Sequence, residues 1–411
     1  MLVLGGAAAT AVVLVMTTVD PWLNGAGILA GGADLHVYRD GAFRILRGLP
    51  LYTEPVLFGL QYTYTPFSTI VFIPIERIPW GSVNTIWMGI NLGVILACIL
   101  LSWQLLGYRV TPRLVGASAL LTLTSTFLEP VRTTLFYGQI NLVLMLLVLW
   151  DFSRADRSRL RGLGVGLAAG IKLTPVYFVA LFVVLRQWRS AAVASAAIGA
   201  SIVLTWTVLP TDSREYWTST FFQSTRIADD THPSNQSIRG VIAHLTGHAT
   251  PTWLWILIAG GVGIVSLLVA ARLHRDGDRL LAVVLCGLTA CAVSPYSWSH
   301  HWVWFVPLLV YLVHLALAQR WWWAAAGVLV GSAGAWPYVW DERNVVIGVF
   351  LFPPSWPITA ILVNAYVIVF ACVLGGAVVR VGRFRDQGAP EDRDQRPGRG
   401  FAGAPERRRV S

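Results

Sequence analysis

The polar side chains that could do chemistry in this chain gather at the ends of apolar runs. After the first run comes Ala33-Asp-Leu-His-Val-Tyr-Arg-Asp-Gly-Ala-Phe-Arg-Ile-Leu-Arg-Gly48. Asp34 is the candidate general base, because a carboxylate at the mouth of a span can take a proton from an acceptor hydroxyl. The same residue falls at a helix N-cap position, where it would accept backbone N–H bonds and gain from the helix dipole. The two roles are not exclusive. Arg39 and Arg44 are candidate phosphate ligands, since guanidinium matches phosphate oxygens in a bidentate way. Asp40, four residues before Arg44, offers the competing reading of a solvated ion pair.

His300 and His301, beside Trp298 in Ser294-Pro-Tyr-Ser-Trp-Ser-His-His-Trp302, could shuttle a proton or donate to a phosphate. With no carboxylate at ligand spacing they make a poor metal site, and no metal or other cofactor is expected. Lys172 is the only lysine and sits inside an apolar run, which marks a candidate for the phosphate of a lipid substrate, against snorkelling to headgroups. Candidate substrate-binding residues are Tyr62 and Tyr64 after the first loop, Glu129 and Arg132 with Gln139 near one corner, and Asn235 and Gln236 in a long loop. Each has a structural alternative: Tyr in the headgroup belt, a Glu129–Arg132 pair, and Gln139 with Asn141 as interhelical hydrogen-bonding groups.

The elements that must position these groups are membrane helices. The chain of 411 residues is 55% hydrophobic and 13% charged with mean hydropathy +0.61, whereas a soluble domain has about 25% charged residues. Windows of roughly 20 apolar residues occur at 1–19, 83–107, 113–129, 138–151, 190–209, 252–271, 279–294, 301–319, 321–338 and 357–380. The run 162–187, broken by Lys172 and Pro175, is expected to enter and return as two short helices, giving about twelve crossings in an all-α polytopic membrane protein. The first run carries no charge and reads as a retained signal anchor. The stretch 66–80, interrupted by three prolines and two charges, is placed outside at the interface.

Residues 33–49 show helical amphipathic spacing, with Leu35, Tyr38, Ala42, Ile45, Leu46 and Leu49 apolar and His36, Arg39, Asp40, Arg44 and Arg47 largely opposite. Short loops holding Arg109, Arg113, Arg154, Arg157, Arg159 and Arg161 alternate with longer ones poorer in Arg, as the positive-inside rule requires of cytoplasmic loops. The net charge of +10 therefore reports topology, and no nucleic-acid partner is expected. Residues 1–380 form one membrane domain; 381–411, rich in Arg, Gly and Pro, read as a disordered basic cytoplasmic tail. Cys98, Cys286, Cys291 and Cys372 lie in apolar runs without metal or disulfide spacing and are expected to be buried packing residues.

Taken in order, the Asp34-Leu-His-Val-Tyr-Arg-Asp-Gly run, Tyr64-Thr-Pro-Phe67, Glu129-Pro-Val-Arg132 to Gly138-Gln-Ile-Asn141, Ile171-Lys-Leu-Thr-Pro175, Ser234-Asn-Gln-Ser237 and the histidine turn resemble glycosyltransferase family eighty-seven. The resemblance covers about residues 10–380. It implies the C-superfamily glycosyltransferase architecture, with an essential aspartate in the external first loop matching Asp34 and active-site histidine at His300 or His301. It also implies a polyprenyl-phosphate-mannose donor, and a phosphatidylinositol mannoside acceptor gaining its fifth mannose through an α-(1→2) link formed with inversion at the periplasmic face of the plasma membrane. Competing expectations are a mannosyl or arabinofuranosyl transferase acting on another envelope glycan, and a lipid-linked sugar flippase. No phosphate-binding GxxxxGK[ST] loop is present, as suits a lipid-phosphate donor that carries no nucleotide.

Overall fold

In lipid a backbone must satisfy its own hydrogen bonds, so apolar runs of this kind fold as helices. The computed structural model describes residues 1–17, 28, 31–223, 228–335 and 359–388, and among them are helices and turns but no strand. In chain order the helices are α1 (Leu2–Thr17), α2 (Ala33–Arg47), α3 (Pro66–Glu76), α4 (Trp80–Leu105), α5 (Pro112–Ser125), α6 (Glu129–Tyr137), α7 (Asn141–Ser153), α8 (Leu163–Ile171) and α9 (Val176–Val184). They continue as α10 (Trp188–Val208), α11 (Pro210–Thr218), α12 (Ile238–Thr246), α13 (Thr252–Arg275), α14 (Arg279–Val293), α15 (Phe305–Ala318), α16 (Trp322–Ala333), α17 (Thr359–Leu362) and α18 (Ala365–Gly388).

Among the described residues four helices are long and apolar enough to cross a membrane, namely α4, α10, α13 and the 365–383 part of α18. The pair α6–α7, bent by 118°, adds a fifth if it is one span. Length alone thus falls short of the expected twelve. Helices α5, α7, α14, α15 and α16 have 12 to 15 residues, below the roughly 20 that a bilayer takes, because Pro, Gly and polar residues end several of these runs early.

The run 162–187 does turn back on itself. Close approaches of Gly162 to Ser190, Gly166 to Ala194 and Gly170 to Ser201 set α8 and α10 side by side and parallel, so α9 must carry the chain back to the end where α8 began. The segment 66–80 packs against the bundle. Pro66 starts α3, which buries Ser68, Thr69, Phe72 and Ile75 against α2, α8 and α10. The Thr65 hydroxyl donates to the carbonyls of Gly170 and Ile171, tying α3 to the end of α8.

Helix α2 buries Leu35, Tyr38 and Ala42 as expected, but also Val37 and His36, whose ring stacks on Trp80 at 3.7 Å. Leu46 and Leu49, assigned to the apolar face, are exposed because the helix ends at Arg47 with Gly48 in the left-handed region. Cys98, Cys286 and Cys291 are buried, whereas Cys372 is exposed on α18. Helix α18 runs past 380 to Gly388, while 389–411 of the expected tail and the loop 339–356 lie outside the described residues.

Candidate active site

Two glycines allow the start of α2 to meet the α6–α7 corner. Gly32, at φ 97°, precedes α2 and donates its N–H to the Phe136 carbonyl at 2.6 Å. Gly138, at φ 71°, ends α6 so close to Leu35 that a Cβ there would lie 2.6 Å from the Leu35 Cβ. Only glycine combines positive φ with that approach. Helix α4 braces the junction: Asn84 Nδ2 donates to the Gly31 carbonyl at 2.7 Å, and Trp87 Nε1 to the Gly138 carbonyl at 2.8 Å.

Asp34 is thereby aimed into a cavity of about 650 Å³, within the range of small-molecule sites. The expected N-cap role is not realised, because Gly32 occupies the cap position and Asp34 is the second residue of the helix, making no cap bond. Its Oδ2 instead accepts from Gln139 Nε2 at 2.6 Å. Gln139 Oε1 in turn accepts from the Tyr38 hydroxyl at 2.7 Å and the Tyr64 hydroxyl at 2.9 Å. Burial raises Asp34 to about 6, against the lowering pulls of the Gln139 bond and the Lys172 charge. A carboxylate titrating there is suited to general-base work near neutral pH.

Lys172 enters from the break between α8 and α9, where its extended backbone (φ −144°, ψ 131°) ends one helix and Pro175 precedes the next. Rather than snorkelling, it lines the cavity. Nζ donates to Asn141 Oδ1 at 3.0 Å and meets His301 Nε2 at 2.8 Å, above the Tyr64 ring at 5.2 Å. An ammonium has three donors and no acceptor, so His301 Nε2 is the acceptor and the proton of the neutral ring is on Nδ1, which lies 3.5 Å from Ser297 Oγ. Burial first, and the Lys172 charge next, push His301 well below the usual histidine range.

His300 contributes differently. Its backbone carbonyl accepts from Asn141 Nδ2 at 3.1 Å and Thr134 Oγ1 at 3.3 Å, while its ring lies parallel to Trp298 at the cavity wall. The result is one polar wall, running from Asp34 through Gln139 to Asn141, Lys172 and His301, in an otherwise apolar bundle. Polar groups so placed are costly unless they serve a site.

The model of Glycosyltransferase family 87 matches residues 62–295, more than half of the chain. The chain belongs to glycosyltransferase family 87. It is 35% identical over 334 residues to a protein of Mycolicibacterium smegmatis, covering 77% of this chain and 80% of that one, named polyprenol-phosphate-mannose-dependent alpha-(1-2)-phosphatidylinositol pentamannoside mannosyltransferase. A protein of the same name from Mycobacterium tuberculosis is 32% identical over 318 residues, covering 75% of this chain and 73% of its own. A second Mycolicibacterium smegmatis protein, named for phosphatidylinositol mannoside, is 35% identical over 329 residues, covering 73% of this chain and 74% of its own. No solved structure matches.

This glycosyltransferase brings Asp34, Tyr64, Gln139, Lys172, Trp298 and the two histidines to one cavity, and leaves other expected residues outside its wall. Arg39 donates to the carbonyls of Glu76 and Ile78 at the end of α3, at 3.2 and 3.3 Å. Arg44 pairs with Asp40 at 3.1 Å and donates to the carbonyls of Pro50 and Pro55, both at 2.8 Å. Both guanidiniums thus fasten α2 to its surroundings. Tyr62 is buried, bonded to Ser68 Oγ at 2.6 Å, with its ring against Gly41.

Asn235 and Gln236 are wholly buried behind the histidine turn. Asn235 Oδ1 accepts from the Ser297 N–H at 3.3 Å, and the Gln236 N–H donates to the Ser297 carbonyl at 2.7 Å. Glu129 is held by the Thr133 and Tyr366 hydroxyls rather than by Arg132, which donates to the Ala335 carbonyl at 3.3 Å. Sequence reasoning missed Tyr38 as a site residue because its ring counts toward the apolar stripe of α2. Its position one turn after Asp34 was the available signal.

Proposed function

We propose that this glycosyltransferase transfers mannose from polyprenyl-phosphate-mannose to a phosphatidylinositol mannoside, forming an α-(1→2) link with inversion in a cavity open to the periplasmic side of the plasma membrane. Donor and acceptor classes follow the names of its relatives. The observation that carries the chemistry is that Asp34 and Lys172 line the same cavity. A base and a cation sharing one pocket are what a single displacement at a sugar phosphate needs.

In the proposed reaction Asp34 takes the proton of the acceptor 2-hydroxyl, and that oxygen attacks the anomeric carbon of the β-mannosyl phosphate from the opposite face. The bond from carbon to phosphate oxygen breaks, and the oxygen leaves with the electron pair as polyprenyl phosphate. Lys172 has one N–H beyond those directed at Asn141 and His301, and this donor meets the charge growing on the phosphate. One carboxylate suffices, unlike the carboxylate pair of a retaining glycosidase. The short Arg-rich loops, which the positive-inside rule assigns to the cytoplasm, support placing the mouth of the cavity outside.

Purified protein in vesicles, given polyprenyl-phosphate mannose and acceptors of differing mannose number, is expected to make a glycolipid whose new sugar is α-(1→2)-linked. Donor moving between leaflets with no glycolipid product would overturn the reading in favour of a flippase.

A further inference from the structure

Gln139 stands at the centre of the polar wall, 4% exposed, and its two ends do opposite things. Nε2 donates to Asp34 Oδ2 at 2.6 Å, while Oε1 faces three donors: the Tyr38 and Tyr64 hydroxyls, and Asn141 Nδ2 at 3.4 Å. The reversed amide would set oxygen against the carboxylate and NH2 against the Asn141 NH2, so the surroundings admit one orientation. Tyr38 and Tyr64 are themselves 2.8 Å apart and are anchored independently, Tyr38 by stacking on Phe72 of α3 at 4.4 Å. The amide cannot rotate without breaking this cluster.

On the reading that Asp34 is the base, we propose that Gln139 is a positioning residue that holds the Asp34 carboxylate ionised and in one rotamer, occupying Oδ2 so that Oδ1 is the oxygen offered to the acceptor hydroxyl. Among the described residues no protein donor bonds Oδ1. The tyrosines act one step further back: by bonding Oε1 they fix the amide and polarise its N–H toward the carboxylate. A hydrogen bond to the ionised form favours that form, which counters the burial that favours the protonated acid.

The other titratable groups facing Asp34 are Tyr38 on its own helix, Tyr64 ahead of α3 and Lys172 between α8 and α9, with His300 and His301 beyond Lys172. Replacing Gln139 by Met keeps its bulk, leaves all of these in place and removes the donor. The acid limb of the rate profile for the purified full-length enzyme should then move to higher pH by about one unit or more. The rate lost at pH 6 should recover toward wild type by pH 8.5, with KM for polyprenyl-phosphate mannose unchanged.

Tyr64→Phe, which keeps the ring and removes one donor to Oε1, should shift the limb the same way by less. This variant carries the test if Gln139→Met does not fold. A loss of rate that is equal at every pH, or an unmoved limb, overturns the assignment. Asp34→Asn in the same series separates the two claims: if it is inactive while the limb of the Gln139 variant stays put, only the role of Gln139 fails, whereas an active Asp34→Asn removes the base itself.

Discussion

Lys172 Nζ and His301 Nε2 lie 2.8 Å apart, joining the α8–α9 break to the turn before α15. The lysine can only donate, so the histidine lends a lone pair and holds the ammonium in place instead of supplying a proton. His301→Ala should therefore lower kcat by roughly 10- to 100-fold through a loosened Lys172, and leave the acid limb of the pH profile where it was. A limb that vanishes with His301 would make the histidine the titrating catalyst. The comparison is a pH–rate series on the two purified proteins.

Lys172→Met removes the cation proposed to face the departing phosphate. Loss of one such electrostatic contact is expected to reduce kcat by roughly 10²–10³-fold, with Lys172→Arg recovering part of it as a charge of different shape. Steady-state transfer with the natural-length donor measures both. Equal rates in wild type and the Met variant would remove Lys172 from the mechanism.

Asp34 titrates at about 6 in the folded protein, above its ordinary 3.8. As the proposed base Asp34 must be ionised, so transfer should rise through pH 6 toward a plateau. The stability sign is opposite. A carboxyl whose folded value is raised binds its proton more tightly in the folded state, so the protein loses stability as pH climbs from near 4 through 6. Asp34→Asn should accordingly slow transfer sharply yet raise the thermal midpoint in detergent at pH 7.5, and a lowered midpoint would contradict burial as the cause of the shift.

Gly138 tests how α2 is seated. Gly138→Ala places a Cβ 2.6 Å from the Leu35 Cβ at a backbone φ of 71°, combining steric overlap with left-handed strain, each worth on the order of 1 kcal/mol or more. A lower thermal midpoint and a fall in kcat are both expected, since Asp34 moves with the helix. Gly199→Ala, where the added carbon meets nothing within 4 Å, is the control that should leave kcat unchanged.

That Asp34 and Lys172 line one polar cavity was legible in the sequence for the same physical reason: a charge beside or inside an apolar run has few reasons to be there. Arg39 and Arg44 were not, because the carbonyls they satisfy belong to Glu76, Ile78, Pro50 and Pro55, and how those loops return to α2 is not written in local spacing. Asn235 and Gln236 lie off the cavity wall for a related reason, since both are turned inward against the histidine turn. Apolar runs located the helices, and Lys172 with Pro175 marked the break between α8 and α9, but hydropathy could not foresee that α3 packs against α2. Arg39→Ala should thus lower the thermal midpoint and leave KM for the donor within about twofold of wild type, as expected of a residue whose hydrogen bonds go to backbone carbonyls; a several-fold rise in that KM would return it to the phosphate.

Single-turnover mannose transfer by purified Asp34→Asn, with polyprenyl-phosphate mannose prebound and a phosphatidylinositol mannoside added, tests the central claim most directly. The base assignment predicts unchanged donor affinity and a chemical step slower by roughly 10²–10⁴-fold; transfer at the wild-type rate would contradict it.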